Sequence, residues 1–389
     1  MSRAELWKNM KILFIKTIIL SASLGILIYS PLIIYYMNKM LQGDNWDAVW
    51  LSWSEDPKTT MTISWHWGVE RRGYVLYWNS TYRGVLMLDM ASKLFHVTLR
   101  GLKPGGVYYY VIGYFDGDRM VNWSEPEIFM TAPAEPGRFR VLVHTDTHAP
   151  RYLAFERFIE AAMREDFDFI IHCGDMVDFG AEYCWSKFLE VESKIARNHP
   201  LMTVVGNHEI MYGGSENYFK FMTLPGNEYW YSFVYGNAVF VVLNVSSYND
   251  FVFPESEREM FIAIRKYVHE HKMWKILCLH RPPFEIFPQH AHPDAGRILL
   301  PLFSRYRPHL VIMGHTHSYA RLTINSTTYI IVGSSGGIPN MAIYNEDSVD
   351  HYEFKHGYMI LDVTNESILI TYKDLDGNIL DTYRISYSV

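Results

Sequence analysis

Seven side chains that follow short apolar runs carry most of the chemistry in this sequence. FRVLVH (139–144) leads into Thr145-Asp146-Thr147-His148, and FDFIIHC (167–173) into Gly174-Asp175. LMTVV (201–205) leads into Gly206-Asn207-His208-Glu209, MWKILCL (273–279) into His280, and HLVIM (309–313) into Gly314-His315-Thr316-His317. Carboxylate, amide and imidazole donors without a thiolate suit Zn2+, Mn2+ or Fe rather than a soft ion. With 17 histidines in the chain, any one of these motifs alone reads as accident. Five in succession, each after an apolar run, do not. Asp146, His148, Asp175, Asn207, His280, His315 and His317 are more donors than one ion needs. They suffice for two four-coordinate ions if one carboxylate bridges. Two divalent cations with two carboxylates and a hydroxide keep a net positive charge, which attracts a phosphate and stabilises charge developing on it.

Such residues act together only if the fold gathers them. The five runs are continuous in apolar character, as strands buried on both faces are. They alternate with stretches of helical spacing at 153–165, 181–197, 256–271 and 296–306, so the spacing predicts βαβ units with mostly parallel pairing. Ligands of such sheets bind beyond the carboxyl ends of the strands, where all seven donors fall. A glycine before the ligand lets the chain turn tightly and aim the next residue back over that rim. A hairpin is expected to turn at Gly236-Asn237 and another at Asp376-Gly377-Asn378. The flexible Gly333–Gly337 stretch reads as a strand-end turn near the site. Glu209 is a candidate partner for a ligand imidazole. His144 and His172 are expected behind the ligands rather than among them.

The order Asp-x-His, Gly-Asp, Gly-Asn-His-Glu, His, Gly-His-x-His over residues 138–320 resembles the calcineurin-like metallophosphoesterases, specifically the purple-acid-phosphatase branch. The resemblance implies that Asp146, His148 and His317 hold one ion, that Asn207, His280 and His315 hold the other, and that Asp175 bridges. It implies that His208 contacts the phosphate and protonates the leaving group, with His290 as a second substrate-contacting histidine. The purple enzymes carry Asp-x-Gly at the first motif and a tyrosinate three residues after the bridging aspartate. This chain has His148 and Asp178 there. The expectation is therefore a colourless enzyme with two divalent ions (Mn, Zn or Fe), hydrolysing phosphomonoesters by attack of a metal-bound hydroxide. Phosphodiesters or diphosphates are the alternative substrates. A cell-surface binding or adhesion protein is the alternative of another class.

The rest of the chain sets the context. Residues 44–132 alternate strand-like runs rich in Trp, Tyr, Val and Thr with turn signals at EDP, RRG, LKPGG and DGD, predicting about seven short strands in a β-sandwich. The Leu102-Lys-Pro-Gly-Gly-Val-Tyr-Tyr-Tyr110 stretch resembles the E–F corner of fibronectin type III domains, and a preceding domain of that kind is what the purple branch carries. TAPAEPGR (131–138) reads as a linker, so the catalytic domain is assigned to 133–389. The fold class is thus α/β (α+β), with a β-sandwich and a membrane anchor before it. Residues 17–37 contain no charge and are long enough to cross a bilayer, which takes about 20 residues. Arg3, Lys8, Lys11 and Lys16 precede them, so the positive-inside rule puts 1–43 in the cytoplasm and the catalytic domain outside the cell on a single-pass anchor. No small-x-small site follows that would favour a cleaved signal peptide. The net charge is −7, and the first 40 residues are basic, so the remainder is acidic and offers no broad attraction to nucleic acid. The expected partners are a phosphorylated small-molecule or surface substrate and the membrane. Three cysteines without a CxxC exclude a disulfide framework, and a 49% hydrophobic composition excludes global disorder.

Overall fold

The structure is a computed structural model that describes residues 46–150, 153–211, 214–245, 273–284, 293–340 and 349–387. The expected membrane segment, the helix expected at 256–271 and His290 lie outside the described residues. Among the described residues, no helix is long and apolar enough to cross a membrane.

Strands β1 (Ala48–Ser52), β2 (Thr60–Trp78), β3 (Arg83–Arg100), β4 (Val107–Asp116), β5 (Arg119–Asn122) and β6 (Glu127–Met130) form one antiparallel sheet. The sequence predicts about seven short strands in two sheets; the chain instead makes six strands, two of them long. The difference lies at Arg71-Arg72-Gly73, which reads as a turn but runs through the middle of β2. There the pairing with β3 shifts register twice, between His66 and Arg71 and between Arg72 and Tyr74. Bulges absorb the extra residues and bend the strand without reversing it. A Cβ at Gly73 would lie 3.1 Å from the Trp65 ring, so the glycine leaves room for that ring. Leu102–Tyr110 makes a tight turn into β4, with Gly105 at φ +66° and the Lys103 N–H donating to the Tyr108 hydroxyl at 2.9 Å, but the single six-stranded sheet does not make the expected fibronectin type III sandwich.

Beyond it the chain runs β7 (Phe139–His144), α1 (Ala154–Ala162), β8 (Phe169–His172), α2 (Glu182–Ala196), β9 (Leu201–Thr203), α3 (Asn207–Ile210) and α4 (Ser215–Phe221). It continues through β10 (Tyr231–Tyr235), β11 (Ala238–Leu243), β12 (Trp274–Leu279), α5 (Pro293–Tyr306), β13 (Leu310–Met313), β14 (Tyr319–Ile324) and β15 (Thr327–Val332). It ends with β16 (His351–Glu353), β17 (Gly357–Val363), β18 (Ser367–Asp374) and β19 (Ile379–Ser386). One sheet has the order β19-β18-β17-β7-β8-β9 and the other β10-β11-β12-β13-β15-β14-β16. The parallel strands divide between them: β7, β8 and β9 in the first, and β11, β12, β13 and β15 in the second. The hairpins at Gly236-Asn237 and at Asp376-Gly377-Asn378 are both present.

The two sheets share a core in which Phe169 meets Phe240 at 5.4 Å and Tyr235 at 4.8 Å between ring centroids. Along β11 the odd residues Val239 and Val241 face away from it, into a second cluster with Leu299 and Phe303 of α5. Burial on both faces is why the strand reads as an unbroken apolar run. The N-terminal sheet joins the first core as well. Trp53, just past β1, is wholly buried and packs its ring 5.5 Å from Phe169, 6.0 Å from Phe233 and 5.6 Å from Tyr235. Residues Trp46–Val389 accordingly form one compact unit, and the stretch read as a linker does not separate two cores. Trp53→Ala is expected to lower the unfolding free energy by about 3–5 kcal/mol in a urea titration while both parts still unfold in one transition. An unchanged midpoint would mean that the two parts are energetically separate.

Candidate metal centre

Six of the seven expected donors form two clusters at the carboxyl ends of β7, β8, β12 and β13. The seventh, Asn207, opens α3 just past the end of β9. Asp146, His148 and His317 make one cluster and Asp175, His280 and His315 the other, their potential ligand atoms within 4.8 Å of one another in each. In the first, the Nε2 atoms of His148 and His317 are 2.9 Å apart, and His317 Nε2 lies 3.4 Å from Asp146 Oδ1. In the second, His280 Nε2 is 3.2 Å from Asp175 Oδ2. Asp175 Oδ2 also lies 3.8 Å from His148 Nε2 and 3.9 Å from His208 Nε2, so this carboxylate stands between the clusters. The Asn207 amide is nearly buried, and its Oδ1 has no hydrogen-bond partner.

The far sides of His280, His317 and Asp146 are held. His280 Nδ1 meets the Cys173 carbonyl at 2.8 Å, and His317 Nδ1 meets the Ile338 carbonyl at 3.0 Å. Those carbonyls accept Nδ1–H and leave each Nε2 as the free lone pair that a cation requires. Asp146 Oδ2 accepts from the Thr145 hydroxyl at 2.7 Å and from the His315 N–H at 2.9 Å, so Oδ1 is the oxygen left over. Glu209 does not touch a ligand imidazole. Its buried carboxyl instead gathers three backbone N–H groups, those of Gly206 at 2.7 Å, Asp175 at 2.9 Å and Val177 at 3.2 Å, tying α3 to the loop that carries Asp175. Burial, with the Asp175 charge beside it, pushes Glu209 up to about 7.

The glycines act differently from the simple turning role. Of the three that directly precede a donor, Gly174, Gly206 and Gly314, only Gly174 adopts a positive φ, +92°. Gly206 and Gly314 are required for space: a Cβ at Gly206 would lie 2.2 Å from Asp175 Oδ1, and one at Gly314 would lie 2.3 Å from Thr145 Oγ1. The left-handed turns are taken by the donors themselves. Asp146, His148, Asp175, His315 and His317 all have φ between +48° and +73°. Non-glycine residues rarely do so, and each such residue costs of order 1–3 kcal/mol that the surrounding structure must hold. The Gly333–Gly337 stretch is, as expected, a turn against the site. The Gly337 N–H donates to the Asp146 carbonyl at 2.7 Å, and a Cβ on Gly337 would lie 2.5 Å from the His317 ring.

The centre fits cations. Asp146 Oδ1, Asn207 Oδ1 and His280 Nε2 are buried without a hydrogen-bond partner, and the Nε2 atoms of His148 and His317 converge at 2.9 Å. Burial opposes charge on His280, yet the adjoining Asp175 carboxylate raises it to about 9. Burial opposes charge on Asp175 too, and His280 holds it well below the usual carboxylate range. The site thus attracts positive charge, for which a bound proton is the smallest substitute. His148 has its pKa lowered by burial, which favours the neutral, ligating imidazole.

A two-sheet α/β core with paired Asp/His clusters at its strand ends suits metal-assisted hydrolysis of phosphoesters. Residues 139–319 match the calcineurin-like phosphoesterase family. The chain is 26% identical to an acid phosphatase type 7 of Mus musculus, over 71% of this chain and 70% of that one. It is 24% identical to a nucleotide pyrophosphatase/phosphodiesterase of Hordeum vulgare, over 69% of this chain and 89% of that one. Its fold is similar to that of a purple acid phosphatase from yellow lupin (Lupinus luteus) seeds, with a TM-score of 0.75 at 18% identity, over 89% of this chain and 75% of the other. The chain thus has a purple-acid-phosphatase-like fold and, over residues 139–319, a calcineurin-like phosphoesterase segment, and reads as a metallophosphoesterase-like hydrolase.

Proposed function

We propose that the chain is a phosphomonoesterase working with two divalent ions, displayed outside the cell on the anchor read at 17–37. The observation that carries the catalytic part is the position of Asp175 Oδ2, between the His280 cluster and the His148 cluster. Asp146, His148 and His317 would hold one ion, Asn207, His280 and His315 the other, and Asp175 both. Bound there, the ions would supply a nucleophile from water at neutral pH and neutralise phosphoryl charge. The chain's own part falls to His208. Its Nδ1 donates to the Asp178 carbonyl at 2.6 Å, which turns Nε2 toward the clusters, and its ring is partly open to solvent. Protonated at Nε2, it would donate to the departing alkoxide. Asp178 has its carboxylate 3.7 Å from His148 Nδ1, where it orients that ring. With no tyrosine at this position, the loaded protein is expected to be colourless. The name of the barley relative favours a second reading, hydrolysis of diesters or diphosphates.

The test is turnover on a panel of mono- and diesters after stripping the ions with a chelator and adding back Mn2+, Zn2+ or Fe2+. Activity is expected to vanish on stripping, to return with at least one ion, and to favour monoesters. Turnover that survives complete stripping would overturn the two-ion reading, and a preference for diesters would select the second. Protease treatment of intact cells tests the placement. Cleavage of the catalytic domain is expected, and protection of that domain would reverse the orientation.

A further inference from the structure

A charged residue sits where helix α2 should be apolar. Trp185, Phe188, Leu189 and Ile195 line its buried face, and Glu192 lies among them with no exposure to solvent. An isolated carboxylate in such a place is costly, so its partner matters. Glu192 Oε1 is 3.2 Å from Nε2 of His144, the last residue of β7, two positions before Asp146. The His144 ring is enclosed: it stacks on Phe158 at 4.4 Å and stands edge-on to His172 at 4.3 Å. Its Nδ1 is 3.2 Å from the Ser335 hydroxyl. That hydroxyl donates to the Thr145 carbonyl at 2.8 Å, so its oxygen accepts Nδ1–H and the ring orientation is fixed. The Thr145 hydroxyl in turn donates to Asp146 Oδ2 at 2.7 Å. Ser335 also donates its N–H to the Thr145 carbonyl at 2.9 Å, pinning the Gly333–Gly337 turn to the Asp-x-His loop.

We propose that Glu192 and Ser335 are positioning residues: with His144 they clamp the strained Asp-x-His loop and so set the ion site of Asp146, His148 and His317 far more than that of Asn207, His280 and His315. The selectivity follows from the connections. The clamp acts directly on Thr145 and Asp146 and meets the other cluster only at its margins, through the His315 N–H on Asp146 Oδ2 and the Thr145 hydroxyl on the Gly174 carbonyl, whereas that cluster's own supports are Glu209 and the Cys173 carbonyl. This inference rests on the two-ion reading.

The experiment is a calorimetric titration of the metal-stripped full-length chain with Mn2+. Wild type is expected to show two binding steps. Ser335→Ala removes one hydroxyl and should fold; it is expected to weaken one step by about 10–100-fold and leave the other within about threefold. Glu192→Ala should weaken the same step. Glu192→Gln, whose amide can still meet His144 Nε2, should restore it to within about threefold of wild type. Leu189→Ala, a cavity on the same helix face without a link to the clamp, should lower Tm and spare both steps. If Ser335→Ala leaves both steps unchanged, or weakens both alike, the clamp is overturned. The same holds if Leu189→Ala reproduces the split. If the wild type shows no Mn2+ steps, the titration is repeated with Zn2+ and Fe2+; a chain that takes up none of the three would overturn the two-ion reading and the clamp with it.

Discussion

Asp175→Ala is expected to strip both ions and to reduce phosphatase turnover below about a thousandth of wild type. The carboxylate is the negative group closest to His280, at 3.2 Å, and it also faces His148 and His208. Its other oxygen accepts the His208 N–H at 2.9 Å, so alanine also releases the start of α3. Asp175→Asn separates the two contributions. It can keep the hydrogen bond to the His208 N–H but removes the charge, and it is expected to retain the fold while losing ion content. Metal analysis and turnover on the same purified sample decide the matter. Two ions per chain with undiminished turnover in either variant would show that Asp175 does not bridge.

For His208→Ala the expected pattern is the reverse: ions kept, chemistry impaired. Its nitrogen facing the clusters lies 3.9 Å from Asp175 Oδ2, beyond hydrogen-bond reach, and the Asp178 carbonyl fixes its tautomer. A general acid typically contributes about 10²–10⁴-fold, and it matters most when the leaving group is basic. Alkyl phosphates are therefore expected to lose activity across that range. A nitrophenyl ester, whose leaving group needs no proton, should lose much less. Equal losses on the two esters would remove the acid role.

Most of this site was legible in the sequence because its signal is local. An apolar run followed by Asp, Asn or His marks a strand end, and five strand ends sharing one rim bring their donors together. What escaped is non-local or conformational. Nothing in Gly206-Asn207 or Gly314-His315 tells a glycine needed for φ from one needed for space; the difference lies in Asp175 and Thr145, far away in sequence. Arg71-Arg72-Gly73 has turn composition, yet pairing with β3 on one side and β4 on the other carries the chain straight through. The βαβ spacing carried the parallel pairing and the layered fold, but not which strands become neighbours in each of the two sheets. Glu192 did leave a trace. It occupies the third or fourth position after Phe188 and Leu189 in an otherwise apolar stripe, and a lone carboxylate there announces a buried partner. His290 and the anchor fall outside the described residues, so sequence alone speaks for them.

The left-handed donors limit how this centre can be re-engineered. Backbone shape and ligand chemistry are specified by the same residues, and Asp, Asn and His are among the few side chains that tolerate that backbone region. A designer seeking a different metal preference cannot choose replacements by donor atom alone. Threonine or any other β-branched side chain would oppose the turn before it met the ion. Exchanges among aspartate, asparagine and histidine keep the scaffold intact, so the accessible variants form a narrow set chosen as much by torsion angle as by coordination.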